Sequence, residues 1–250
     1  MTETDLRRLE NKAAIVTGGG TGIGLATTEA LVKEGANVLI VGRREAPLKS
    51  LAEKYPGKVS YLQADISHSG SSELIINTVL ETYGKLDILV NNAGYAVIKP
   101  LMLITDDEID QMLTLNVKAM LALSREAIPA LEQSRGSIIN ISSVAAQTAV
   151  PGFTAYAATK SAIDRMSKIL AVEVGPTGVR VNVVAPGLTR TDMLNATPQE
   201  AVDKLVNEAT ALRRVGEPED IAETITWLAS EQSAWVTGQV IQSSGGLLLS

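Results

Sequence analysis

Tyr156 and Lys160 stand four residues apart in Ala155-Tyr-Ala-Ala-Thr-Lys160, inside a stretch of helical pattern. That separation stacks two side chains on one helix face. A phenol with a pKa of about 10 is a poor base at neutral pH, but an ammonium a few ångströms away favours phenolate and lowers that value. Such a pair can move protons. A packed ring beside a solvated lysine is the blander reading of the same spacing, so the pair needs company. With no cysteine and one histidine, His68, the chain has no thiolate nucleophile, no zinc-thiolate site and no multi-histidine metal cluster. His68 itself reads as a surface loop residue. Redox chemistry would need a borrowed cofactor.

A place for one occurs near the N-terminus, where the apolar run Ala13 to Thr17 leads through Gly18-Gly-Gly-Thr21-Gly22-Ile23-Gly24 directly into a helical pattern. Glycines let a backbone turn tightly and approach a pyrophosphate, and the helix N-terminus presents free N–H groups to it. The spacing Gly18, Gly22, Gly24 departs from the usual Gly-x-Gly-x-x-Gly. At the end of the second apolar run, where an NAD site places an acid for the ribose hydroxyls, the chain has Gly42-Arg43-Arg44. Two guanidiniums suit a 2′-phosphate, so NADP (NADPH) is expected in preference to NAD.

The elements that must position these groups are legible as alternation. Apolar runs at Ala13–Thr17, Val38–Val41, Val59–Leu62, Leu86–Val90, Ser137–Ile141, Val179–Val184 and Gln239–Gln242 read as buried strands of a seven-stranded parallel sheet. Helical patterns fill the gaps at Ile23–Lys33, Ala46–Lys54, Ser71–Tyr83, Asp106–Ala127, Ala155–Val174, Gln199–Ala209 and Pro218–Ala229. Gly35 and Gly84 read as helix stops, and Thr105-Asp-Asp-Glu108 as a helix start. The expected fold class is α/β, a single doubly wound Rossmann domain over residues 1–250. Gly187 to Pro198 is expected to be irregular, a lid-like loop.

The ordered set of Thr17-Gly-Gly-Gly-Thr-Gly-Ile-Gly24, Asn91-Asn-Ala-Gly94, Asn116, Ser143, Tyr156-x-x-x-Lys160 and Pro186-Gly187 resembles the short-chain dehydrogenase/reductase family, and the match runs along essentially the whole chain. The resemblance implies that Tyr156 is the general acid in carbonyl reduction and the base in reverse. Lys160 would tune it and hold the nicotinamide ribose, and Ser143 would bind the substrate oxygen. Ser142, its neighbour on the opposite face of the strand, is the alternative. Asn116 is implied to anchor a water leading to Lys160, against a plain reading as a helix-interior amide bonded to backbone. Asp65 and Ile66 are implied near the adenine, although Asp65 could equally cap a helix. Asn92 and Gly94, with Pro186, Gly187, Thr189 and Thr191, are implied along the cofactor, Thr189 mainly through its backbone; Asn91 reads as partly architectural.

The substrate is expected to be a carbonyl or alcohol small molecule in a mostly apolar pocket of Tyr95, Val144, Ala145, Gln147, Val150, Phe153, Leu188, Met193 and Leu194. A freestanding ketone and a 3-oxoacyl thioester on a carrier protein both fit. The basic residues Arg125, Arg135, Arg190, Arg213 and Arg214 are too scattered to separate them. A silent NADP-binding sensor is a third reading, disfavoured by the complete catalytic set. The formal charge of −6 argues against nucleic-acid binding. No apolar run approaches the roughly 20 residues that cross a bilayer, so a cytoplasmic chain without membrane partners is expected. The family further implies a homotetramer, with the helices around Asp106–Ala127 and Ala155–Val174 at one seam and Gly246–Leu249 at another.

Overall fold

Alternation along each strand divides the core in two. In a computed structural model describing residues 7–195 and 199–247, seven strands pair side by side: β1 (Ala13–Thr17), β2 (Asn37–Gly42), β3 (Val59–Gln63), β4 (Ile88–Asn91), β5 (Ser137–Ile141), β6 (Arg180–Pro186) and β7 (Val240–Ser243). Every pairing is parallel, in the order β3-β2-β1-β4-β5-β6-β7. Successive side chains leave opposite faces. Val16, Ile40, Val90 and Ile139 therefore pack on one side with Leu31, Ile225 and Leu228. Ile15, Leu39, Leu89 and Ile138 pack on the other with Ile75, Val79, Leu123 and Leu131. All residues of β1, β4 and β5 are buried, as a parallel sheet covered on both faces requires.

The helices are α1 (Gly22–Lys33), α2 (Glu45–Lys54), α3 (Ser71–Tyr83), α4 (Asp106–Leu113), α5 (Ala119–Ser134), α6 (Thr154–Val174), α7 (Asp192–Asn195), α8 (Gln199–Ala209) and α9 (Pro218–Ala229). Their punctuation follows the sequence. Gly84 ends α3 at φ 75°. Thr105 starts α4 with a capping box, its hydroxyl accepting from the Glu108 amide at 3.3 Å while its own amide donates to the Glu108 carboxylate at 2.8 Å.

Two expectations need correction. The helix expected over Asp106–Ala127 is broken by one wide π-turn at Thr114–Lys118 and runs on to Ser134, past Pro129. Its hydrophobic periodicity survives such a turn, which is why sequence alone misses it. The segment from Gly187 is not wholly irregular, because α7 forms within it; residues 196–198 lie outside the described residues.

Because the chain leaves β1 for β2 and β3 on one side and returns to β4 on the other, a crevice opens between the carboxyl ends of β1 and β4. Gly18, Arg43, Asp65, Asn92, Ser143 and Gly187, each just past a strand end, share that edge.

Candidate active site

At the crevice, Thr17 closes β1 onto β4: its hydroxyl accepts the amides of Asn92 and Ala93, each at 3.0 Å. The Asn92 side chain donates to the Thr17 carbonyl at 2.8 Å, so its amide group clamps the glycine turn. Gly18 sits at φ +66°, and a Cβ on Gly24 would lie 2.1 Å from the Gly18 carbonyl oxygen. Only a bare backbone fits there. Gly24→Ala is accordingly expected to destabilise the fold by about 1–3 kcal/mol through overpacking and to abolish dinucleotide binding. Thermal melting and titration with NADPH check both; unchanged binding would show that the turn has slack. Thr21 precedes α1 without capping it by its side chain, which leaves the first-turn N–H groups directed at the crevice.

A cavity of about 540 Å³ runs along this edge. Gly18, Thr21, Gly22, Ile23, Arg43, Arg44, Asp65, Ile66, Asn92, Gly94, Tyr156, Lys160, Pro186, Gly187, Thr189 and Thr191 all line it, as does Ser143. Gly24 and Asn116 stand behind the wall. At the β2 end, Arg44 donates to the Thr21 hydroxyl at 3.4 Å, and Glu45, the nearest acid in sequence, is turned to the Tyr61 hydroxyl at 3.2 Å. Asp65 accepts from the amide and hydroxyl of Ser67 at 2.9 and 2.6 Å. Burial pushes its carboxyl up, but the Ser67 hydrogen bonds and the charges of Arg43 and His68 together hold it below its ordinary value. It does not cap α3, whose N-cap is Gly70; His68 is exposed.

At the β5 end, Ser142 is buried and donates to the Lys160 carbonyl at 3.2 Å, a packing role. Ser143 adopts extended backbone, and its hydroxyl accepts the Ala145 amide at 3.1 Å. The wide turn in the α4–α5 helix presents Asn116 to the loop after β4. Its amide donates to the Tyr95 carbonyl at 2.8 Å and the Thr159 hydroxyl at 3.0 Å, and its oxygen accepts the Tyr95 amide at 2.8 Å. A Cβ on Gly94 would lie 3.4 Å from that oxygen and 3.5 Å from Lys160 Nζ, so glycine lets the two converge. Asn91 is architectural, donating to Asn140 across β4–β5 at 2.8 Å and to Ser124 at 3.1 Å.

Lys160 Nζ lies 5.6 Å from the Tyr156 ring centroid and donates to the Ile141 carbonyl at 2.9 Å. Burial pushes the lysine down to about 8, with Asp164 opposing. Burial pushes the Tyr156 phenol up to about 12, with Ser143 opposing. The direction is the reverse of that expected from the lysine: burial of the phenolate raises the phenol, and the group opposing it is Ser143. Tyr156 keeps its proton at neutral pH.

Thr189 donates its hydroxyl to the Gly187 carbonyl at 3.1 Å and its carbonyl accepts from the Thr191 hydroxyl at 3.4 Å, and Thr191 lies over the glycine turn, its Cγ2 3.2 Å from where a Gly22 Cβ would be. Of the expected pocket wall all but Gln147 are present; that side chain turns away to Asp164 and Gln242. Sequence reasoning missed Ile98, Leu115, Thr148, Leu205 and Leu247 in the wall, and Thr17 and Thr159 as hydrogen-bond hubs. Thr17 and Thr159 sit inside the quoted motifs, so the signal was present; Leu205 and Leu247 reach the cavity only through tertiary folding. Among the described residues no group of acids and histidines could hold a metal.

The arrangement provides a dinucleotide-sized groove ending in a hydroxyl, a protonated phenol and a buried ammonium. The family model described as Enoyl-(Acyl carrier protein) reductase matches residues 18–248. The chain is 40% identical over 243 residues to a 3alpha-hydroxysteroid dehydrogenase of Mediterraneibacter gnavus, covering 95% of this chain and 97% of that one. It is 37% identical over 246 residues to the 3-oxoacyl-[acyl-carrier-protein] reductase FabG of Thermotoga maritima, covering 97% and 100%. A solved short-chain dehydrogenase/reductase, a glucose/ribitol dehydrogenase from Brucella melitensis, superposes with a TM-score of 0.93 at 31% identity over 97% of this chain and 99% of that one. With its parallel sheet, glycine turn and Ser–Tyr–Lys set, the chain belongs to the short-chain dehydrogenase/reductase family of oxidoreductases, which act on CH–OH and keto groups with nicotinamide cofactors.

Proposed function

We propose that the protein is an NADP(H)-dependent ketone reductase in which Tyr156 donates the proton. The observation that carries this reading is the convergence of Ser143, Tyr156 and Lys160 on one cavity that also has two arginines in its lining. The cradle fits a dinucleotide: the turn at Gly18, Thr21, Gly22 and Ile23, closed behind by Gly24, would take the pyrophosphate, and Arg43 and Arg44 the 2′-phosphate. Asp65 and Ile66 would flank the adenine, Asn92 and Gly94 the middle of the cofactor. Pro186, Gly187, Thr189 and Thr191 would border the nicotinamide. Bound there, the cofactor supplies or accepts a hydride.

The chain's own residues do the rest. Ser143 and Tyr156 hold the carbonyl oxygen, and Tyr156 passes its proton to the alkoxide, a stronger base than phenolate. Lys160, an ammonium behind the ring, stabilises the phenolate left behind and would hold the ribose hydroxyls. Asn116 acts through others, fixing the Tyr95 backbone and Thr159 of α6. Because Lys160 loses its proton near pH 8, the reductive kcat/KM is expected to fall as pH rises through about 8. A pH–rate profile flat to pH 10 would remove Lys160 from this role.

The proposal extends to one domain, since the seven strands form one sheet, and to a cytoplasmic homotetramer. Leu113, Leu121, Ile169 and Val172 leave apolar surface on α4, α5 and α6, which supports a seam there. Of the expected C-terminal contact, residues 248 and 249 lie outside the described residues. Oxidation of NADPH against a broad ketone panel tests the activity. Binding of NADPH with no turnover of any ketone would return the chain to the sensor reading.

A further inference from the structure

We infer that the substrate is an uncharged, predominantly apolar ketone free in solution, and that the site discriminates against anionic substrates, including thioesters carried on a phosphate-bearing arm. This rests on the ketone-reductase reading and narrows it. Past Ser143 and Tyr156 the cavity wall is built from Tyr95, Val150, Phe153, Leu194, Leu205 and Leu247. That wall is fixed rather than adventitious: Thr210 and Leu247 form an antiparallel bridge, and the Leu212 amide donates to the Gly245 carbonyl at 2.9 Å. Leu247 is 4% exposed.

Charge is distributed against an anion. The charged residues lining the cavity are Arg43, Arg44, Asp65, Lys160 and Asp192. Arg43 follows β2, three strand positions from β5 in the order β2-β1-β4-β5. At ~4.8 Å per step that is about 14 Å from the Ser143 end, too far to serve a substrate there. Lys160 is committed to the Ile141 carbonyl and the ring of Tyr156, and Asp192 would repel a carboxylate or phosphate. Of the cations on segments flanking the cavity, Lys99 pairs with Glu108 at 2.7 Å, Arg190 with Glu217 at 3.0 Å and Arg214 with Asp220 at 2.8 Å, while Arg213, next to the Thr210–Leu247 bridge, has no ion pair among the described residues. Helix α8, which contributes Leu205, carries Glu200, Asp203 and Glu208 against Lys204. A carboxylate carried into this wall would be a buried anion with no free cation beside it among the described residues, which is strongly disfavoured, and the single unpaired Arg213 is not a cluster that would seat an acidic carrier or its phosphate. An apolar ring or chain gains by entering.

The test compares three ligands on the enzyme–NADPH complex: a bicyclic saturated ketone such as 2-decalone, the same skeleton bearing a remote carboxylate, and acetoacetyl-coenzyme A. Both turnover and calorimetric affinity are read. Expected is a kcat/KM for 2-decalone about tenfold or more above either anion, given the cost of an unpaired charge, with the same order in affinity. Met193→Arg, which places a cation in the cavity wall, is expected to narrow the gap for the carboxylate. Equal or better use of either anion overturns the inference. If 2-decalone binds in the expected order but is not reduced, the substrate class stands and the reductase reading fails; if it neither binds nor reacts, the inference fails.

Discussion

Tyr156→Phe is expected to lower kcat for ketone reduction by about 10²–10⁴-fold, the usual contribution of a positioned acid–base group, while leaving NADPH affinity and the melting temperature close to those of the parent. The split follows from the packing. The ring, not the hydroxyl, fills the small apolar cluster with Met112 and Ala145 and stands edge-on to Phe153 at 6.2 Å between centroids. Phenylalanine keeps those contacts and removes only the hydroxyl, and with it both the transferable proton and the hydrogen bond to the substrate oxygen. The oxidation of the corresponding alcohol is expected to fall by a similar factor, since the same oxygen serves both directions. Steady-state kinetics in both directions, beside a melting curve, would check this. A variant that keeps more than about a tenth of kcat is incompatible with an acid–base contribution of this size.

Arg43→Ala is expected to weaken NADPH binding by about 1.5–3 kcal/mol, roughly 10- to 150-fold, the value of a charge-assisted hydrogen bond, and to leave NADH binding almost unchanged. Both arginines are exposed and line the β2 end of the cavity, and Arg44 reaches the Thr21 hydroxyl across it. Glu45, the acid next in sequence, accepts from the Tyr61 hydroxyl at 3.2 Å and does not line the cavity among the described residues, whereas both arginines do. Because Arg44 offers a second guanidinium, the double variant Arg43→Ala/Arg44→Ala is expected to lose more than the single one. Fluorescence titration with each cofactor decides the matter; equal losses for NADPH and NADH would show that the arginines are ordinary solvated side chains.

The sheet was readable in the sequence because buried parallel strands are continuous apolar runs and each is closed by a turn residue or a helix cap. Ala13–Thr17 and Ser137–Ile141 match residue for residue. The glycine turn was readable because Gly18 and Gly24 have no substitute there. What sequence could not show is where a side chain spends its hydrogen bonds. Asn92 faces the cofactor edge in pattern but clamps Thr17, and Gln147 sits within the pocket segment but turns to Asp164. The state of Tyr156 was misjudged for a related reason. Spacing gives the distance to Lys160, while the phenol's pKa is set chiefly by how much water the fold removes. The π-turn that delivers Asn116 leaves no trace in hydrophobic period, and the approach of Leu247 to the cavity depends on its bridge to Thr210.

A crystal structure with NADPH and a slow ketone substrate bound would test the central claim most directly. The account predicts the carbonyl oxygen within hydrogen-bond distance of both the Tyr156 and Ser143 hydroxyls, with Lys160 Nζ behind the phenol. A carbonyl oxygen held by other groups, with the Tyr156 hydroxyl out of reach, would contradict it.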